Sequence, residues 1–390
     1  MTPALPTHDP SHHSTKSTSK FRSLLVSSLI ASGTCLLALL SGCAGSQSTK
    51  NLPISITIAS DAKVVVEGRH ELTNGGKTLT TAYPGSSFHL RVQGKRLDMK
   101  ASSRTDKLYL DVLKNGERVK KFLFPQGLHT VTLFEDHQID EPYEIEIIRA
   151  SAPWQGTLEV FEFQVAGGEL LPPAPLPQRK LLFIGDSITS GSVSDPADST
   201  EGKTLAANNG RFSFGRLTAR KLNAQSHLVS YGGRGLIRDW EGKDNSQTNN
   251  APVFYPRTFP DDSNSAWDHS RYQADAVIVN LGTNDFAVSI PDAKTFVPAY
   301  VDFVQEIRKT QPSAFIFLML SPMHGMQDRN RAALNDYIKQ TIAQLGDDRV
   351  AKLGVGYYPG RPVDPHPVKE EHERIAQEIA PVIAKTLGWQ

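Results

Sequence analysis

A proline-rich segment divides this chain into two parts with different hydrophobic patterns. Residues 171–177 read Leu-Pro-Pro-Ala-Pro-Leu-Pro, and a run of this kind is stiff and extended. Before it, short runs alternate between apolar and polar residues. After it, apolar runs alternate with longer segments of helical period. The segment 171–179 is therefore predicted to link two domains of different class.

The first domain, residues 53–170, is predicted to be a β-sandwich of jelly-roll type. Turn signals such as Asn74-Gly75 and Asn115-Gly116 separate its short runs, which is typical of all-β sandwiches. The alternating runs lie at 54–58, 63–66, 88–92, 108–112, 129–133, 143–147 and 158–161. No catalytic constellation lies in this stretch, so the domain is interpreted as a packing module, with sugar binding as the alternative.

The second domain, residues 180–390, is predicted to be a three-layer α/β domain. Its apolar runs lie at 180–184, 226–230, 274–280, 314–318 and 350–355, and its helical patterns at 212–222, 293–310, 328–345 and 368–387. Strands that alternate with helices predict a parallel sheet with helices on both faces. Residues 239–272, rich in Asn, Asp, Ser and Pro, are predicted to form a long loop of the kind that is functional or mobile.

Composition excludes several classes of function. The 390 residues are 39% hydrophobic and 21% charged, with a formal net charge of +1, so the basic excess of a nucleic-acid-binding protein is missing. The two cysteines, Cys35 and Cys43, lie near the N-terminus, and the rest of the chain must fold without disulfides. No histidine pair has the spacing of zinc ligands. We expect neither a metal nor an organic cofactor.

The N-terminus has the pattern of an export signal. Lys16, Lys20 and Arg22 precede an apolar stretch from 24 to 40, which ends at Ser41-Gly42-Cys43. Leu40-Ser41-Gly42-Cys43 resembles the bacterial lipobox, which implies that residues 1–42 are a signal peptide, that Cys43 is lipidated and that 43–52 is a tether. Ala44 after the cysteine then favours the outer membrane. A plain transmembrane anchor is the alternative, although the stretch is short for a span of about 20 residues.

Short polar motifs follow four of the predicted strands of the second domain. They are Gly185-Asp186-Ser187, Gly232-Gly233-Arg234-Gly235, Gly282-Thr283-Asn284-Asp285 and Asp364-Pro365-His366. In open α/β sheets ligands bind beyond the carboxyl ends of the strands, so these motifs are predicted to form one site. A serine hydroxyl becomes a good nucleophile only when a base removes its proton, and His366 is the candidate base for Ser187.

Each of these assignments has an alternative. Ser187 could cap a helix or turn, and Asn284 could form an Asx turn beside Gly282. The alternatives to His366 are His372, six residues further on in a predicted helix, and His324, which follows another predicted strand near Pro322. Trp240 and Trp267 flank the long loop, where stacking on a sugar ring is the alternative to core packing.

With its four motifs in this order, the second domain resembles the SGNH hydrolases, also called GDSL-type hydrolases. The sandwich in front, Tyr83-Pro84-Gly85-Ser86 within it, Gly233-Arg234-Gly235, and Trp267-Asp268 ahead of the asparagine motif are similar to family-2 carbohydrate esterases. This resemblance covers nearly the whole chain after the anchor.

The resemblance implies a serine esterase. Ser187 would be the nucleophile and His366 the base, and the backbone N–H groups of Ser187 and Gly233 would form the oxyanion hole with the Asn284 amide. Asp364 stands two residues before His366, whereas the superfamily usually has three; the resemblance therefore leaves open a Ser187–His366–Asp364 triad and a Ser–His dyad in which a backbone carbonyl holds the imidazole.

The expected reaction is removal of acetyl groups from a carbohydrate, of the acetylxylan or glucomannan type, through an acyl-enzyme on Ser187. Trp240 and Trp267 are expected to bind the substrate. The alternatives are a lipase or thioesterase on the same scaffold, and a catalytically idle glycan-binding lipoprotein. The expected partners are an acetylated carbohydrate and, through the N-terminal lipid, a bacterial membrane.

Overall fold

The computed structural model describes residues 52–197, 204–324 and 328–389. The predicted signal peptide 1–42, Cys43 and the tether up to residue 51 lie outside these residues. None of the helices in the described ranges combines the length and the apolar character that crossing a membrane requires.

The N-terminal domain consists of two antiparallel sheets packed face to face. In chain order its strands are β1 (Ile54–Ile58), β2 (Val65–Glu67), β3 (His70–Thr73), β4 (Thr78–Thr81), β5 (Ser87–Gln93), β6 (Arg96–Ser103), β7 (Tyr109–Lys114), β8 (Glu117–Leu123), β9 (Gly127–Glu135), β10 (Tyr143–Arg149), β11 (Leu158–Ala166) and β12 (Glu169–Leu171). One six-stranded sheet has the order β3-β4-β11-β6-β9 with β1 beside β11, and the other has the order β12-β5-β10-β7-β8 with β2 beside β5. The predicted sandwich class is confirmed.

The core of this domain consists of the apolar side chains that alternate with polar ones along its strands. On β5, the side chains of Phe88, Leu90 and Val92 are buried between the sheets, whereas Arg91 points outward. The same period produced the sequence prediction. The predicted runs leave out β3, β4, β6, β8 and β12. Of these, β8 has the mostly polar sequence Glu-Arg-Val-Lys-Lys-Phe-Leu because this edge strand is largely exposed.

The C-terminal domain is a parallel sheet of five strands with helices packed on it. Its strands are β13 (Arg179–Gly185), β14 (Ala224–Ser230), β15 (Ala276–Asn280), β16 (Phe315–Met319) and β17 (Val350–Leu353), and its helices are α1 (Ser187–Ser190), α2 (Phe214–Lys221), α3 (Ala251–Phe254), α4 (Ala293–Thr310), α5 (Arg329–Leu345) and α6 (Lys369–Leu387). The strand order is β14-β13-β15-β16-β17. Residues 239–272, predicted to be a loop, contain α3 and a 3-10 turn at His269–Arg271.

Both faces of this sheet are covered, as predicted. Leu182 and Ile184 of β13 belong to one core cluster with side chains of α4 and α5. Leu181 and Phe183, which point the other way, belong to a second cluster with side chains of α2 and α6. The central strands therefore consist of continuous apolar residues, as strands buried on both faces do.

Buried charges join the two domains. Arg69 of the sandwich is 1% exposed, and its Nη1 donates to the carbonyl oxygens of Tyr255 (2.5 Å) and Arg257 (2.7 Å) in the long loop. Glu67 accepts from the Ser226 backbone N–H at 2.6 Å. Burial alone would raise the pKa of Glu67, but the Arg216 guanidinium, His89 and this N–H lower it to about 2. The interface is thus built on polar groups that need their partners in the other domain.

We expect Arg69→Leu to destabilise the protein by about 1–3 kcal/mol, because the buried Tyr255 carbonyl oxygen would lose its donor. The Arg257 carbonyl oxygen would keep only the Tyr83 hydroxyl, 3.3 Å away. The measurement is the midpoint of thermal unfolding. Arg91→Leu is the matched control, since Arg91 and its partner Glu144 are both about half exposed, 3.7 Å apart; an exposed pair contributes at most about 1 kcal/mol. Equal shifts in the two variants would show that the Arg69 contacts do not stabilise the fold.

Candidate active site

Ser187 is the first residue of α1, directly after the turn at Asp186 that ends β13. The Asp186 carboxylate caps α1 by accepting from the Ile188 N–H at 2.9 Å, so the capping role belongs to Asp186 and not to Ser187. Burial raises the pKa of Asp186 to about 6, against the effect of that N–H bond. Ser187 itself is 6% exposed.

Ser187, His366 and Asp364 form a hydrogen-bonded chain. The Oγ of Ser187 lies 2.9 Å from the Nε2 of His366, and the Nδ1 of His366 lies 2.5 Å from the Oδ1 of Asp364. Paired backbone hydrogen bonds between Arg361 and Asp364, each 3.1 Å, form the tight turn that carries Asp364. The arrangement has the connectivity that activates a serine hydroxyl.

The other histidines do not take this place. His372 is fully buried in α6, where its Nδ1 accepts from the Phe214 N–H at 3.1 Å and its ring stacks on the Phe214 ring. Burial lowers the pKa of His372 to about 3. The Nδ1 of His324 lies 3.6 Å from the Oδ2 of Asp328, so this histidine faces a different carboxylate.

The glycine and asparagine motifs lie beside Ser187. A Cβ built on Gly232 would stand 3.5 Å from the Cβ of Ser187. Gly233 has φ +79°, and a Cβ there would lie 2.9 Å from Cδ1 of Trp240, so this position requires glycine. The Nδ2 of Asn284 lies 3.3 Å from the Asp186 carboxylate and 2.9 Å from the Arg234 carbonyl oxygen. The structure thus gathers all four motifs at one edge of the sheet.

A cleft of about 420 Å³ adjoins Gly232. Trp240, 58% exposed, forms part of its lining, and so does Trp154 of the sandwich, 40% exposed. Arg234 and Asp239 also line this cleft; the Arg234 guanidinium lies 3.0 Å from the buried Asp239 carboxylate. Two exposed indole rings and the partly exposed Arg234 guanidinium make a surface suited to stacking on a ring and bonding to hydroxyl groups.

Trp267 is not part of this cleft. It is 6% exposed and belongs to the core, where the Arg69 and Arg271 guanidinium groups lie 5.2 Å and 4.7 Å from its ring. Tyr255 is also buried. Trp267 was expected to bind the substrate because it flanks a polar loop. The structure buries its side chain in the core instead.

Sequence reasoning missed Trp154. It lies in a short turn, Pro153–Gln155, between two strands of the other domain, and no motif surrounds it. Only the packing of the two domains brings it to the cleft, so no local signal could have identified it.

A group of possible metal ligands lies elsewhere, at the domain interface. Ligand atoms of Glu67, His89 and Glu146 all lie within 4.8 Å of one another, beside a cavity of about 410 Å³. Arg216 also lines it and is hydrogen-bonded to Glu146. The guanidinium already supplies the positive charge that these carboxylates need.

Comparison with known proteins agrees with this geometry. The GDSL-like lipase/acylhydrolase family matches residues 183–374, and the carbohydrate esterase 2 N-terminal domain matches residues 66–175. The chain is 36% identical over 351 residues to an acetylxylan esterase / glucomannan deacetylase of Cellvibrio japonicus (strain Ueda107), with 90% of this chain and 96% of that protein covered.

Two solved structures are similar over most of the chain. A family two carbohydrate esterase from Cellvibrio japonicus has a TM-score of 0.82 and 35% identity, covering 86% of this chain and 99% of that one. A family two carbohydrate esterase from Clostridium thermocellum, solved in complex with cellohexaose, has a TM-score of 0.77 and 26% identity, covering 84% and 100%.

We expect a fluorophosphonate reagent to label Ser187, because only a serine hydroxyl bonded to a base reacts readily at neutral pH. Mass spectrometry of the labelled peptide is the measurement. Ser187→Ala should take up no label. Ser190→Ala is the control and should label normally, since the Ser190 hydroxyl is engaged with the Asp186 carbonyl and Ser230. Labelling of Ser187→Ala at the wild-type rate would contradict the assignment.

Proposed function

Because this chain belongs to the family 2 carbohydrate esterases, we propose that it removes acetyl groups from a carbohydrate through an acyl-enzyme on Ser187. The predicted family is confirmed by the identity over nearly the whole chain, and the reaction class is hydrolysis of a carboxylic ester. The observation that carries the proposal is the Ser187–His366–Asp364 chain beside a polar cleft with two exposed tryptophans.

The first step forms the acyl-enzyme. The Oγ of Ser187 attacks the carbonyl carbon of the acetyl ester while its proton passes to the Nε2 of His366. Asp364 holds the Nδ1–H and stabilises the imidazolium that forms. When the tetrahedral intermediate collapses, the sugar alkoxide leaves and takes the proton from His366.

In the second step His366 again accepts a proton and then returns it. A water molecule gives one proton to His366 and attacks the acyl carbon; His366 then returns that proton to the Ser187 Oγ as acetic acid leaves and ionises to acetate. Negative charge develops twice on the carbonyl oxygen. The N–H groups of Ser187 and Gly233 and the Asn284 amide are proposed to bind that oxygen, and such donors, fixed beforehand, stabilise the charge without reorganisation.

The cleft supports a carbohydrate as the part of the substrate that does not react. Trp154 and Trp240 offer rings for stacking, and the Arg234 guanidinium, held by the buried Asp239 carboxylate, offers a donor for hydroxyl groups. A similar structure was solved with cellohexaose bound. Binding energy from the sugar can orient the ester at Ser187, so a good glycan should raise turnover and not affinity alone.

We expect acetyl esters to be cleaved faster than octanoyl esters, and acetate to be released from acetylated xylan or glucomannan. Trp240→Ala should lower kcat/KM on acetylated glycan by about tenfold, the value of roughly 1.4 kcal/mol of lost stacking, and leave a small aryl acetate nearly unchanged. Trp240→Phe keeps a ring and is the matched control. The measurement is kcat/KM on both substrates.

Faster cleavage of octanoyl than of acetyl esters, with no acetate released from any glycan, would support the lipase alternative. A protein without hydrolytic activity on any of these esters would support the alternative of a glycan-binding lipoprotein. Equal losses on glycan and aryl acetate in Trp240→Ala would remove this tryptophan from substrate binding.

The N-terminal pattern supports a second proposal, on location. Leu40-Ser41-Gly42-Cys43 after an apolar stretch supports export and lipidation of Cys43, with the enzyme anchored in a bacterial membrane, the outer membrane being favoured by Ala44. This segment lies outside the described residues, and the proposal rests on the sequence alone.

We expect Cys43→Ser to remain an unacylated precursor that no longer fractionates as the mature lipoprotein does. Mass spectrometry of the N-terminal peptide from cells is the measurement, with Cys35→Ser as the control that should be processed normally. An unmodified Cys43, or cleavage at another position, would exclude the lipoprotein.

A further inference from the structure

The Asp285 carboxylate, which the proposed mechanism does not use, is buried against the glycine motif. Asp285 is 0% exposed. Its Oδ1 accepts from the backbone N–H groups of Leu236 at 3.0 Å, Ile237 at 2.8 Å and Arg238 at 3.2 Å, and its Oδ2 lies 2.9 Å from the Leu236 nitrogen. Three successive N–H groups that converge on one anion form a backbone nest.

The fit between this carboxylate and the loop is tight. A Cβ on Gly235 would lie 2.4 Å from the Oδ2 of Asp285 and 2.3 Å from the Arg238 carbonyl oxygen, so the loop can close on the carboxylate only with glycine there. The Nε of Arg238 donates to the Asp285 carbonyl oxygen at 2.7 Å. The loop is thus bound to both the side chain and the backbone of Asp285.

This loop carries Gly233 and contacts Asn284, two of the three groups proposed to bind the reacting oxygen. The nest begins three residues after Gly233, whose carbonyl oxygen accepts from the Trp240 N–H at 3.0 Å. The Arg234 carbonyl oxygen accepts from the Asn284 amide at 2.9 Å. Gly233 and Asn284 therefore belong to one hydrogen-bonded unit, and Asp285 is the anion within it.

We propose that Asp285 is a positioning residue of the oxyanion hole: its carboxylate fixes the 235–238 turn and thereby the Gly233 peptide and the Asn284 amide. The proposal rests on the proposed function. Burial raises the pKa of Asp285, and the backbone N–H bonds act in the opposite direction. The same N–H groups that the carboxylate orders therefore favour its charged form against the effect of burial.

Asparagine at this position separates the role of the carboxylate from that of its volume. Asp285→Asn has nearly the same shape but replaces one acceptor oxygen by an amide with two N–H donors. With the asparagine oxygen in the place of Oδ1, its NH2 group would take the place of Oδ2, 2.9 Å from the Leu236 nitrogen. Two donors would then face each other, and the negative charge that draws the three N–H groups together would be lost. The turn would then lose its fixed position while the core around it stays filled.

The test is steady-state kinetics on an aryl acetate, which makes little use of the sugar cleft. We expect Asp285→Asn to lower kcat by at least about tenfold, toward the roughly 10²–10³-fold loss expected for Asn284→Ala as a missing oxyanion donor. KM should change by less than about threefold, since the lost interaction is made mainly in the transition state. Unchanged kcat, or a rise in KM alone, would overturn the proposal.

A double-mutant cycle distinguishes positioning from general damage. If Asp285 acts through the oxyanion hole, Asp285→Asn/Asn284→Ala should be no more than about threefold slower than the slower single variant. Multiplied losses would overturn the proposal. Asp98→Asn is the control, because Asp98 is a buried carboxylate of the sandwich bonded to Arg96 and Thr132; it should lower the unfolding temperature and leave kcat within about twofold.

A milder variant covers the case in which Asp285→Asn does not fold. Arg238→Ala removes the bonds to the carbonyl oxygens of Asp285 and Ser289 and loosens the same turn from its solvent side. It should lower kcat in the same way and show the same cycle with Asn284→Ala, and an unchanged kcat would count against the proposal. A wild-type enzyme inactive on every ester would instead contradict the proposed function.

Discussion

The site depends on the hydrogen-bond register of three neighbouring parallel strands. Gly185, the last residue of β13, pairs with Ser230 of β14 on one side and with Asn280 of β15 on the other. The three strands thus end at the same level, and the loops that carry Ser187, Gly233 and Asn284 begin side by side. The pairing of these strands alone therefore brings the nucleophile and the glycine and asparagine motifs together.

The base reaches this group by a different route. It follows β17, which β15 and β16 separate from β13, so the loop after β17 must cross the ends of both. A hydrogen bond from the Tyr358 N–H to the Pro322 carbonyl oxygen, 2.8 Å long, fixes that path over the loop after β16. The turn from Arg361 to Asp364 then presents the carboxylate and, two residues later, the imidazole of His366.

The sequence predicts well those parts of the structure that local patterns determine. All five strands of the parallel sheet have apolar runs, and the four motifs follow them in order, so their meeting at one edge could be anticipated. Polar strands such as β8 could not, since an edge strand needs few apolar residues. Trp154 and Trp267 show the same limit. Trp154 is exposed in the cleft and Trp267 is buried because of how the two domains pack, and the residues next to them in the sequence do not indicate this packing.

The contact of Arg69 with the long loop has a consequence for how such an enzyme can change. Its hydrogen bonds go to the backbone carbonyl oxygens at 255 and 257, although the guanidinium also lies 5.4 Å from the centre of the Tyr255 ring. Every residue type has that oxygen, so these bonds place no demand on the residue types at those positions. The sandwich can therefore hold the frame of the loop while substitutions accumulate along it, which leaves the specificity of the neighbouring cleft open to divergence without loss of the scaffold.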